Sequence, residues 1–215
     1  MIPSSPTSRF RGPKPTGDGQ LLRLPLPESD AALVLAVRAG RESAHEELVR
    51  RCTPDVERIL QRVLGPDAEL EDVAHDVFVA AFKAIDHLRD PHALRSWLVG
   101  IAIRKARKLI ARRRRWSFIR SVAPSELPEL DHASDAAEFT DALSCTYRIL
   151  GTLPVDDRIA FALRHIDGMD LTAVASATDV SLATAKRRIA RAQKLFVELA
   201  RQNEVLAPWV GKDEP

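Results

Sequence analysis

Between Leu171 and Phe196 the chain spells a helix, a short turn and a second helix, and no other stretch limits the fold as much. Leu171–Ala177 is a short helix with Asp170 placed to cap it. Thr178-Asp179-Val180 makes the turn, and Ser181 is a good N-cap for the next helix. In that second helix Ala185, Ile189, Ala192, Phe196 and Leu199 recur at steps of four and three, which makes one apolar stripe. That stripe demands burial against earlier helices. It leaves Lys186, Arg187, Arg191 and Lys194 pointing outward. A helix anchored on one side and basic on the other suits the major groove of B-form DNA. The charges alone would fit a solvated basic face; the turn and the stripe together favour the groove.

Composition points the same way. Hydrophobic residues make up 45% of the 215-residue chain but aromatics only 5%, so its core must be mostly Ala, Leu, Val and Ile, which suits close-packed helices. The net charge of +2 conceals separated blocks. Positive charge gathers in Arg104–Arg115 and Lys186–Lys194, negative charge in Glu126–Asp141, a pattern that implies local contact with a polyanion. Cys52 and Cys145 stand far apart and outside any Cys-x-x-Cys pair, so neither a zinc site nor a disulfide framework is expected. A reducing cytoplasm is the expected setting. No apolar run approaches the ~18–20 residues that span a bilayer, and the N-terminus has no apolar signal core.

The pattern along the chain predicts an all-α protein of two helical domains joined by an acidic flexible linker. Residues 1–27, rich in Pro, Ser, Gly and Arg, read as a disordered extension. A first domain covers 28–115. Its helices are Asp30–Ala39, closed by Gly40, then Ser43–Cys52, then a restart at Thr53-Pro54 running to Leu64. Asp67 opens the next helix, whose inner face carries Leu70, Val73, Val77 and Phe78. After the loop His87–Asp90 a long helix with Leu94, Trp97, Leu98, Ile101 and Leu109 ends in four arginines. Residues 116–138 form the linker. A second domain covers 139–204, with helices Phe139–Leu150 and Val155–Ile166 before the helix-turn-helix, and 205–215 reads as a loose tail.

Two stretches in the first domain and one in the second resemble the extracytoplasmic-function (ECF) group of the bacterial sigma-70 family of RNA polymerase sigma factors. Glu71-Asp72-Val73-Ala74-His75-Asp76-Val77-Phe78 is similar to that group's Glu-Asp-Leu-Val-Gln-Glu-Val-Phe run. Leu94-Arg95-Ser96-Trp97-Leu98 with Ile101-Ala102 is similar to its Phe-Arg-Ala-Trp-Leu…Ile-Ala stretch. Leu153-Pro154, Arg158, Gly168, Val174-Ala175, Ser181, Thr184, Lys186, Arg188 and Arg191-Ala192 resemble its fourth region. The likeness runs in order through most of residues 30–200.

The resemblance implies a promoter-specificity subunit of bacterial RNA polymerase, monomeric, with no active site, metal or cofactor of its own. Residues 28–115 would be the sigma region 2-like domain, holding the minus-ten element and the polymerase clamp. Residues 139–204 would be the region 4-like domain on the minus-thirty-five element. Glu71, Asp72, His75 and Asp76, neighbours on one helix face, would meet core polymerase, where charge complementarity sets register and on-rate. His75 stands where the group usually has Gln and adds a side chain that can titrate near neutrality. Arg104, Lys105, Arg107, Lys108 and Arg112, with Arg113, Arg114 and Arg115 after them, would neutralise phosphates near the minus-ten element. Arg104 replaces the group's usual Asn and Lys108 its Asp, which puts the usual base contact there in question. The loop Asp86–Asp90 would receive a flipped base, while Trp116 and Phe118 either stack on an unpaired base or pack on the bundle end. Thr184, Lys186, Arg187, Arg188, Ala190 and Arg191 carry the minus-thirty-five contacts, with Arg188 better placed for phosphate. Core polymerase, promoter DNA and an anti-sigma factor are the implied partners.

Two other classes fit parts of the chain. Glu42-x-x-His45 and Asp72-x-x-His75 each set a carboxylate and an imidazole one turn apart, as di-iron bundle oxidases do, but here on polar faces. A stand-alone helix-turn-helix regulator, binding an operator without polymerase, is the nearer rival.

Overall fold

A computed structural model describes residues 28–120 and 134–210, with side chains over 28–115 and 139–210. Every regular element in it is helical. The order is α1 (Asp30–Arg38), α2 (Glu42–Leu64), α3 (Leu70–Ala84), α4 (Leu94–Arg120), α5 (Ser134–Thr152), α6 (Val155–Phe161), α7 (Leu171–Thr178) and α8 (Leu182–Arg201). Short 3-10 turns at Ile85–His87 and Pro91–Ala93 join α3 to α4, and a π turn, Ala162–Ile166, extends α6.

The chain does not break and restart at Pro54. α2 runs through it as one helix. Proline costs an interior helix a hydrogen bond and crowds the preceding turn. Here Thr53 Oγ1 donates to the Val49 carbonyl at 2.8 Å, and Cys52, Val56, Ile59 and Leu60 are buried on either side, so packing outweighs the local defect. The segment expected to link the domains is helical at both ends, since α4 runs on to Arg120 and α5 begins at Ser134. The expected extension over 1–27 lies outside the described residues, as do the side chains of Trp116 and Phe118. The chain after Glu204 is not loose throughout: Leu206 is buried against Cys145, Ile149 and Ala200.

α1 to α4 form one module and α5 to α8 a second, and the two pack on each other. A single apolar cluster runs from Leu33, Leu48, Ile59 and Leu98 in the first to Ile159, Leu163, Val174 and Ile189 in the second. The joint is tightest at the C-terminal end of α2. A helix leaves its last carbonyls short of intrahelical donors; the Gly65 N–H serves Gln61 at 2.8 Å, and the second module serves the others and reaches Gln61 as well. Tyr147 Oη donates to the Gln61 and Arg62 carbonyls (3.2 and 3.1 Å). Arg158 donates to those of Val63 (3.2 and 3.1 Å) and Leu64 (3.1 Å). Gly65 turns the chain at φ +83°, and a Cβ there would lie 2.6 Å from the Tyr147 ring. Only glycine leaves room for that ring. Arg58 pairs with Asp167 across the same joint.

Candidate nucleic-acid and polymerase surfaces

The helix-turn-helix forms as its caps dictate. Asp170 accepts from the Ala173 N–H at 2.7 Å, opening α7. Asp179 ends α7 in the left-handed region at φ 56°, a conformation that aspartate tolerates better than most residues. Ser181 then caps α8 by accepting from the Thr184 N–H at 3.2 Å. Ala185, Ile189 and Ala192 are buried, with Phe196 and Leu199 partly so, which fixes the rotation of α8.

That rotation sorts the six expected minus-thirty-five residues into two sets. Lys186, Arg187 and Ala190 are exposed, and Thr184 sits half-buried at the turn. Arg188 and Arg191 instead reach back to α6. Arg188 donates to Asp156 at 2.8 Å, and Arg191 makes a two-pronged pair with Asp157 at 2.5 and 2.6 Å. Asp157 is completely buried, so Arg191 neutralises a carboxylate with no other route to solvent. The hydrogen bond from Arg191 to Asp157, and the attraction behind it, raise the arginine's pKa above its ordinary value. These two arginines therefore set the helix in place, and Arg191 keeps an exposed flank. Residue-by-residue reading missed Asp156 and Asp157 as their anchors. Two acids in the first turn after Pro154 look like simple dipole partners; the matching spacing of Arg188 and Arg191 was the available clue.

The basic run on α4 is divided in the same way. Arg104, Lys108 and Arg112 fall at i, i+4 and i+8, and all three are exposed on one stripe. Arg112 donates to Glu69 at 2.6 Å. Lys105 pairs with Asp76 at 3.1 Å. Arg107 turns into the joint between the modules, where its Nε lies 2.9 Å from Asp156. One carboxylate thus lies between the α4 face and the recognition helix. Arg113, also within the run expected to neutralise phosphates, binds both Asp67 and Glu69. Burial would lift the Asp67 carboxyl, but the Arg113 hydrogen bond and the Glu69 backbone N–H hold it below its ordinary value.

On α3, Glu71, Asp72, His75 and Asp76 are all exposed, while Ala74, Val77 and Phe78 face the core. The surface is compact because four polar residues share two successive turns. Next to α3, the Asp86–Asp90 loop is braced from below. Arg38 donates to the Ile85 carbonyl (2.8 and 3.2 Å) and to that of Leu88 (2.5 Å). Asp86, His87, Arg89 and Asp90 stay exposed and Leu88 is buried. The carboxylate–imidazole pairs do not form a metal cage: among the described residues no group of three or more metal-binding side chains converges. His45 instead sets its Nδ1 2.9 Å from the Arg41 carbonyl and its ring against Phe82. No described helix is long and apolar enough to cross a membrane.

Comparison with known proteins places the chain in one family. Residues 48–116 match the model for Sigma-70 region 2, and residues 143–195 match that for Sigma-70, region 4. The chain is 30% identical over 176 residues to the RNA polymerase sigma-H factor of Pseudomonas aeruginosa, covering 78% of this chain and 91% of the relative. It is 28% identical over 175 residues to the ECF RNA polymerase sigma-E factor of Escherichia coli (strain K12), covering 77% and 91%. Among solved structures it resembles CnrH in complex with the cytosolic domain of CnrY, with a TM-score of 0.57 and 25% identity over 81% of this chain and 99% of that one. The fold is also that of the sigma factor RpoE bound to the anti-sigma factor NepR from Bartonella quintana, with a TM-score of 0.52 and 18% identity over 74% and 98%. Two family segments in the family's order, and a relative 30% identical over most of both chains, settle the assignment: the chain belongs to the ECF group of the sigma-70 family of RNA polymerase sigma factors.

Proposed function

We propose that this chain directs bacterial RNA polymerase to specific promoters as a monomeric, cytoplasmic initiation factor and leaves the chemistry to polymerase. Glu71, Asp72, His75 and Asp76 dock on a basic surface of the core enzyme. Arg104, Lys108 and Arg112, with Lys105 and Arg107 beside them, hold phosphates at the minus-ten element. Lys186, Arg187 and Ala190 meet bases of the minus-thirty-five element, while Thr184, Arg188 and Arg191 position the helix and contact phosphate. The loop Asp86–Asp90 receives an unstacked base, and that capture offsets the cost of opening the duplex. An anti-sigma protein is the expected restraint.

One observation carries the reading. A basic recognition face on α8 and an acidic face on α3 are both open to solvent, on different modules. The docked arrangement has a consequence for the cycle. The two promoter elements lie about 25 base pairs apart, or about 85 Å of duplex at ~3.4 Å per base pair. A compact chain of this length has a radius of gyration of only about 17 Å. The modules must part to engage both elements, and binding to polymerase supplies the free energy.

Transcription in vitro with core polymerase on genomic fragments tests the proposal. Discrete start sites should appear only when chain and core are mixed, and Asp72→Lys should slow association with core, most strongly at low salt. Protection of a palindromic operator without polymerase, with no start sites in its presence, would instead identify a stand-alone regulator.

A further inference from the structure

Leu182 is the first residue of α8, directly after the Ser181 cap, and it is 51% exposed. Of the described large apolar side chains left in solvent, it alone lies on the recognition helix's leading turn. Lys186 and Ala190, four and eight residues on, are also exposed, so the three share one stripe, away from the buried Ala185, Ile189 and Ala192. The first turn of α8 carries no acidic residue, and the nearest carboxylate is that of Asp179 in the preceding turn. The two hydroxyls there, Ser181 and Thr184, bond to each other at 2.9 Å, which leaves an apolar point ahead of a basic flank.

We infer that Leu182 is a specificity-determining residue that reads the C5-methyl of a thymine at one edge of the minus-thirty-five element. The inference rests on the reading of α8 as the base-contacting helix. N-terminal residues of a recognition helix are the ones that reach base edges. Leucine offers neither donor nor acceptor, and the one apolar feature on the major-groove edge of a base pair is the thymine methyl. Lys186 and Arg187, one turn further in, select guanine by hydrogen bonding, so the stripe combines two kinds of readout. Shielding one methyl from water corresponds to about a fourfold preference.

The test uses the full chain with core polymerase and a promoter pool randomised across the upstream element, copied once with thymidine and once with deoxyuridine triphosphate. The wild-type chain should enrich an A·T pair at one position in the thymine pool and lose about fourfold of that preference in the uracil pool. Leu182→Ala should enrich equally in both pools while keeping the guanine preferences, which Lys186→Ala removes. Identical wild-type selection from both pools overturns the inference, and so does a Leu182→Ala chain that still distinguishes thymine from uracil. Weaker binding of Leu182→Ala to core without DNA would make the leucine a polymerase contact and also overturn it. If neither pool yields an upstream motif and Lys186→Ala changes nothing, the reading of α8 itself fails.

Discussion

Replacing Arg158 with alanine tests whether the second module really closes the end of α2. Arg158 serves two backbone carbonyls, Val63 and Leu64, through three N–H contacts of 3.1–3.2 Å. Neither carbonyl has an intrahelical donor available, because α2 stops at Leu64. Leaving a buried acceptor unmet costs ~1–3 kcal/mol, so two of them put roughly 2–6 kcal/mol at stake. Part of that returns, because the guanidinium is itself costly to bury. Its pKa is lowered by burial, which places the penalty on the charged form. With several kcal/mol of desolvation set against charge-assisted bonds, the net cost should be about 2–3 kcal/mol, or roughly 30- to 150-fold in the docking equilibrium. Urea titration followed by tryptophan fluorescence should show the lower midpoint, and small-angle scattering should show a larger radius well below it. Arg158→Lys, a point donor that cannot fork across both carbonyls, should recover only part of the loss. An Arg158→Ala chain within ~0.5 kcal/mol of wild type, with an unchanged radius, would refute the capping argument.

On the recognition helix, Lys186→Ala or Arg187→Ala should weaken promoter binding about 5- to 150-fold, from ~1–3 kcal/mol per bidentate base contact, and relax base preference at one position. Lys194→Ala should instead weaken all sequences alike and reduce the salt slope by about 0.9; competition assays at two salt concentrations separate the cases. Acid stability has its own marker. The Arg50 hydrogen bond, opposed by burial and aided by Arg51, holds the Glu47 carboxyl down at about 2, against an ordinary 4.5. A folded value below the unfolded one stabilises the protein above pH 4.5, and that contribution drains away as pH falls toward 2. Glu47→Gln should therefore flatten the melting-temperature profile across this window without erasing it, since Asp67 and Glu69 are lowered too; an unchanged slope contradicts the pairing.

Much of this architecture can be read from local patterns, because local signals agreed with packing there. Asp170, Ser181 and the Ala185–Ile189–Ala192 stripe fix α7 and α8 through caps and period alone. Pro54 misleads for the opposite reason: locally it signals a helix start, yet apolar residues on both sides hold α2 straight through it. The exposure of Glu71, Asp72, His75 and Asp76 follows from periodicity, since the residues between them are the apolar ones. What periodicity cannot show is a partner distant in sequence. Tyr147 and Arg158 lie at least 85 residues from the carbonyls they serve, and Asp156 lies 32 residues before Arg188. Arg191 looks like a free base reader, and Arg188 like a free phosphate contact, until those acids are in view. The shared core is hidden likewise, because each module's stripe is the same whether it meets its own helices or the other module's.

Docking between the modules should oppose function and stability in opposite directions, and Tyr147→Phe is the gentlest way to see it. The variant keeps the ring beside Gly65 and removes only the hydroxyl that lies 3.1–3.2 Å from the Gln61 and Arg62 carbonyls. One hydroxyl donates one proton, so the two contacts share a single bond worth about 0.5–1.5 kcal/mol net. If only the parted chain engages polymerase, apparent affinity is the intrinsic affinity scaled by the parted fraction. A weaker dock enlarges that fraction by the same free energy, about 2- to 13-fold. Tyr147→Phe should thus melt earlier yet bind core polymerase more tightly in a fluorescence titration, with both changes tracing to one hydrogen bond. Affinity and melting temperature falling together would mean that polymerase takes up the docked chain, and the parting would then have to come after binding.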